Sequence, residues 1–145
     1  MFRFSLQTVL DVRERFEKIK HKEYAAELLV FQGLEMQREA LLGNMQRAAH
    51  ANNQAKQSSI SAMPFILHEH YRERLKKEVA LLDGRIQEQK ERVDLKRREL
   101  VEARRSHKAL DILRSKEKIR FLQAEEKRER IIMDEVAATH HIMQV

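Results

Sequence analysis

His68, Glu69 and His70 place two imidazoles around a carboxylate, and His140 and His141 add another pair of imidazoles. Such groups hold zinc when their donor atoms converge on one point. On a helix that convergence needs a spacing of three or four, because residues one or two apart point in different directions. Neither cluster has it, so both read as surface or capping histidines. Asp134 and Glu135 beside Arg128 and Arg130 look like an acid–base site, but a carboxylate shifts its pKa in a pocket that strips away water. An ion-pair ladder on an open helix fits these four better. The chain has no glycine-rich phosphate loop, no G-x-S-x-G and no H-E-x-x-H. Cysteine is absent, which removes disulfides and thiolate metal sites. No catalytic residue, metal or cofactor is expected, and the protein does not read as an enzyme.

The element that must carry these residues runs from Met63 to about His141, with one proline at its start and one internal glycine, Gly84. Leu75, Val79, Leu82 and Ile86 recur at steps of four, three and four, the spacing that lines one narrow helix face. The same register continues through Gln89, Val93, Lys96, Leu100, Ala103, His107, Leu110, Arg114, Glu117 and Phe121, and on to Ile142. Of its 20 positions 13 are apolar, enough for a thin seam but not for a wide core. Upstream, Leu6, Val9, Arg13 and Phe16 follow heptad spacing, with Leu10, Val12 and Ile19 beside them. A phase slip is expected through Tyr24, Ala25 and Ala26, with Leu28, Phe31, Leu42 and Met45 resuming on a shifted stripe.

The pattern fails between His50 and Met63, where Asn52, Asn53, Ser58, Ser59 and Ser61 compete for backbone hydrogen bonds. Pro64 suits the first turn of a new helix, and Ser61 could cap it. The fold expected is all-α: one elongated domain over residues 1–145, with a helix at about 4–50, a polar connection at about 51–63 and a helix at about 64–141. Helices joined this way pack as an antiparallel coiled-coil hairpin. The arms are unequal, so about 30 residues of the second helix (roughly 110 to 141) should project uncovered. Leu110, Leu113, Phe121, Leu122, Ile131, Ile132 and Met133 lie there, and exposed apolar residues in such number point to a partner.

Charged residues make up 36% of the chain and aromatics 6%, the composition of a coiled coil rather than of a sheet-bearing enzyme. No run of 18 apolar residues occurs, and the amino-terminal stretch is too charged after residue 10 for a secretory signal, so a cytoplasmic protein is expected. Net charge is +6, and the segment from Arg85 to Arg130, with 16 basic and 10 acidic residues, accounts for an equal excess. Such a strip suits an acidic protein surface, anionic lipid or nucleic acid. Ten interspersed carboxylates and a single aromatic, Phe121, weigh against nucleic acid. A plain dimerising coiled coil is a further reading.

Three groups of residues carry a family resemblance: Phe2, Phe4, Leu6, Val9, Leu10 and Arg13 with Glu17; Val93, Asp94 and Leu95; and Met133, Asp134 and Glu135. In order and spacing they resemble FliJ, a small flagellar export protein of bacteria, across nearly the whole chain. The related O-type stalk proteins of virulence type III secretion are the alternative. The resemblance implies a stalk-like antiparallel coiled coil that inserts into the hexameric export ATPase (FliI-like) and promotes its assembly. It also implies contacts with the export-gate protein (FlhA-like) and with export chaperones. The protein would be a monomer within its complex, peripherally associated with the inner-membrane export apparatus. The family's gate-docking stripe falls on Tyr71, Leu75 and Leu82, with Glu78 standing where a small residue is usual. The helix ends expected in the ATPase ring carry Leu6, Leu10, Arg13, Leu113, Arg120, Phe121, Ile131, Asp134 and Glu135. Arg97, Arg98, Arg104, Arg105, Lys116, Lys118 and Arg120 would steer the approach.

Overall fold

A computed structural model describes residues 1–57 and 62–142, with the side chains of the last two left aside. The protein is all-α: two long helices, α1 (Gln7–Gln57) and α2 (Ala62–Ile142), pack against each other as an antiparallel hairpin. Internal contacts divide it into two compact units. One comprises Met1–Ile19 and the chain from Val101 onward, the other Lys20–Leu100. Both helices contribute to each.

In the Lys20–Leu100 unit the heptad register of α2 is the packing face. Leu75, Leu82, Gln89, Val93 and Leu100 are buried, and Val79, Ile86 and Lys96 half-buried. From α1, Tyr24, Glu27, Phe31, Leu34, Arg38, Leu41, Met45, Ala48 and Asn52 meet them at alternating steps of three and four. Leu28 and Leu42, expected with Phe31 and Met45 on the shifted stripe, are half-buried beside this face, and the phase change sits earlier, between Glu17 and Lys20. The sequence reading stops α1 at residue 50, whereas the helix continues to Gln57. Ala48 and Asn52 extend the seam there, so packing overrides the weak helix preference of the asparagines. Ser61, the expected cap, lies outside the described residues, and Pro64 occupies the first turn of α2, where a missing N–H costs nothing.

Polar groups sit within this seam and are satisfied across it. The Gln89 amide Nε2 donates to the Glu27 backbone oxygen at 3.0 Å and to its carboxylate at 2.5 Å. Lys96 and Lys20 alternate with Glu23 and Glu99 in a closed ring of four contacts, 3.0 to 3.2 Å long. Glu23 is held below the ordinary carboxylate value of 4.5, chiefly by Lys96, and Glu99 chiefly by Lys20. Reciprocally, Lys20 is raised above 10.5 by Glu99, and Lys96 by Glu23. No buried side-chain nitrogen or oxygen among the described residues lacks a hydrogen bond.

In the other unit, α1 begins later than the residue 4 expected. The Phe4 carbonyl accepts from the Gln7 N–H at 3.2 Å, closing a turn that drops the Phe4 ring onto the core. Phe4, Leu10 and Ala103 are buried, with Glu14, Glu17, His107, Leu110, Glu117 and Phe121 half-buried. Leu6, Val9, Arg13 and Phe16, read from sequence as the seam, all lie exposed. The chosen face carries Glu17, whose carboxylate lies 2.6 Å from His107 Nδ1 and 3.4 Å from Arg104 Nε. Turning the other stripe inward would have buried Arg13 in place of these pairs.

Two measurements follow. Gly84 is exposed inside α2, and a Cβ there meets nothing within 4 Å; Gly84→Ala should raise stability by about 0.5–1 kcal/mol in urea unfolding. The ring of charges sets a pH window. Its depressed carboxylates contribute above their unfolded value near 4.5 and lose that contribution as pH falls through the folded values. Its raised lysines contribute below 10.5 and lose theirs as pH climbs through the folded values. Lys96→Met should therefore be less stable than the parent near pH 7, with the gap narrowing at acid and strongly alkaline pH.

Candidate interaction surfaces

The structure separates the residues expected to meet an export gate. Leu75 and Leu82 are only 3% and 6% exposed, buried against α1 as members of the seam. Tyr71 stands open, with the Arg74 guanidinium 5.9 Å from its ring centre. The exposed apolar surface near it comes from Met63, Phe65, Ile66 and Leu67 in the first turns of α2, and the Lys56 ammonium lies 5.3 Å over the Phe65 ring. Four apolar residues in five positions exceed what one face of a two-helix seam can absorb, so most of them turn to solvent.

The residues expected to meet an ATPase ring divide similarly. Leu10 is buried and Phe121 half-buried, with the Phe2 ring tilted against Phe121 at a centroid distance of 5.7 Å. Leu6, Arg13, Leu113, Arg120, Ile131, Asp134 and Glu135 are exposed. The uncovered stretch is shorter than the 30 residues expected. Leu110 through Phe121 retain register positions packed on the amino-terminal residues, and exposure becomes unbroken from Leu122 to His140.

From Leu122 onward the apolar residues have lost their seam but not their spacing. Ala124, Ile131 and Ala138 hold the heptad register and are exposed, as are Leu122, Ile132, Met133 and Val136. A local ion pair, Arg130 Nη2 to Glu126 Oε1 at 2.6 Å and four residues apart, supports the helix here. All seven cations assigned to steering, from Arg97 to Arg120, are exposed.

Sequence reasoning missed one surface: the exposed strip of Val9, Val12, Phe16 and Ile19. Its signal is present in the sequence, where the heptad reading puts Val9 and Phe16 in the seam and Val12 and Ile19 beside it.

Among the described residues no group of three or more His, Cys, Asp or Glu is placed to hold an ion, and the His141 side chain lies outside them. One open groove is lined by Gln37, Leu41, Glu78, Leu82 and Arg85. No helix among the described residues is long and apolar enough to cross a membrane.

No curated protein and no solved structure matches the chain. The family model described as the flagellar FliJ protein matches residues 2–144. With all but the two terminal residues matched, and two antiparallel helices of unequal length that bury a heptad seam, the chain belongs to the flagellar FliJ protein family.

Proposed function

We propose that this protein is a non-enzymatic, stalk-like component of the flagellar type III export apparatus. It binds the hexameric export ATPase, promotes its assembly and activity, and contacts the export gate and export chaperones while peripherally associated with the inner membrane. It acts as one continuous coiled-coil domain and as a single copy. Family membership supports the export role. The observation that carries the ATPase contact is the run from Leu122 to His140, in which a heptad register persists with every side chain exposed. A register without a covering helix supplies half of a packing surface, and a ring of subunits supplies the other half.

Binding in a central channel asks for stiffness and charge rather than for a catalytic pocket. Arg104, Arg105, Lys116, Lys118 and Arg120 are exposed cations on the same helix and would speed encounter with an acidic lining, an effect that fades with salt. For the gate, Tyr71 with Phe65, Ile66 and Leu67 gives the accessible apolar contact, while Leu75 and Leu82 shape it from beneath by holding α2 against α1.

Exposed residues can be changed without disturbing the fold, which makes the test direct. Ile131→Glu combined with Val136→Glu should leave helical content unchanged yet abolish stimulation of the export ATPase hexamer; undiminished stimulation would sink the stalk reading. For the gate, Tyr71→Ala should weaken capture of the gate protein at unaltered stability, whereas Leu82→Ala should cost roughly 2–5 kcal/mol of stability as a core truncation.

A further inference from the structure

We infer that the outer face of α1 between Lys22 and Ala40 pairs two copies of this chain antiparallel. Lys22, Ala26, Leu29, Gly33, Met36 and Ala40 recur at alternating steps of four and three, the spacing of a coiled-coil seam. All lie in the Lys20–Leu100 unit, on the side of α1 away from Glu27, Phe31, Leu34 and Arg38, which turn to α2. Leu29 and Met36 are 69% and 71% exposed, and Val30 beside them is 52% exposed. A Cβ on Gly33 would meet nothing within 4 Å, so no neighbour among the described residues requires a glycine where alanine makes the better helix. A glycine there leaves room for a side chain arriving from outside.

Size and charge select a second copy as the occupant. With Gly33 opposite Leu29 of the other copy, Ala26 meets Met36, and the two-fold axis repeats both layers. Every central layer then sets one large side chain against one small, and Val30 meets its own counterpart beside the axis. At either end Lys22 lies over Ala40 of the other copy, next to its Glu39. Lys22 and Glu39 are both exposed and form no ion pair among the described residues, so each is available to the other. Other alignments lose this match. Parallel pairing stacks Leu29 on Leu29, Met36 on Met36 and Lys22 on Lys22. Sliding the antiparallel pair by one heptad keeps large against small but brings Lys22 up to Arg47. The contact is short, about 28 Å of helix, which puts the dimer at the weak end of specific association.

This pairing uses no residue assigned above to the ATPase or the gate. It describes the free chain, whereas the single copy proposed for the export complex is the engaged form. The chain has no cysteine, so disulfide trapping reads the register directly. Full-length Ala26→Cys and Met36→Cys chains, one of them tagged, should cross-link to each other when mixed and oxidised. Neither should cross-link to itself, because like positions stand about 15 Å apart along the axis. Sedimentation equilibrium of the cysteine-free chain should show monomer and dimer exchanging between micromolar and millimolar concentrations. Lys22→Glu should weaken the dimer roughly tenfold, and adding Glu39→Lys should restore it. Gly33→Leu should abolish it by setting leucine against Leu29, with helical content by circular dichroism undiminished. A monomer at every concentration with no mixed cross-link would overturn the inference. So would self-cross-linking of either cysteine chain, or a dimer indifferent to Gly33→Leu.

Discussion

Two helices in contact can shield only the side chains that point directly at each other, and this limit governs the rest of the molecule. Among the described residues the buried apolar ones are few, Phe4, Leu10, Ala48, Leu75, Leu82, Val93, Leu100 and Ala103, and no large side chain is completely enclosed. Hydrophobic burial in so thin a seam is non-directional and would tolerate a slide by one heptad. The polar members of the seam remove that tolerance. Gln89 binds both the backbone and the carboxylate of Glu27, and any other alignment would leave its amide without those partners. The Lys20, Glu23, Lys96 and Glu99 ring adds a second alignment mark in the same unit. Glu17 with Arg104 and His107 does the same in the other.

The same limit explains why the protein offers surfaces instead of pockets. Its functional chemistry lies in which residues escape the seam. At the start of α2 these are large apolar side chains flanked by cations. Past Phe121 they are the register residues themselves. The function proposed above makes recognition the completion of a coiled coil by a partner, with complementary charge at the shoulders.

Much of this was legible in the sequence. The register counted from Leu75 predicts the buried face of α2 down to Phe121, with Arg114 alone turned outward, because period and composition agree over many turns. In α1 two apolar stripes compete, and spacing cannot rank them. The outcome turns on whether Glu17 finds Arg104 and His107 across the pair, which is a tertiary fact. The end of α1 was misread because Asn52 looks like a breaker in isolation, yet it is buried as a seam residue. Among the site residues, resemblance marked Leu75 and Leu82 without saying that they serve α1. Heptad spacing alone does not distinguish a residue that packs at home from one that packs abroad.

The run from Leu122 to His140 has one more consequence. Its helix rests on its own backbone bonds and the Arg130–Glu126 ion pair, so it opens locally at little free-energy cost. Proteases act on opened segments, in proportion to the time spent open. A partner covering this end, as proposed above, would also shield it, and an uncovered copy would be the first to be cleaved.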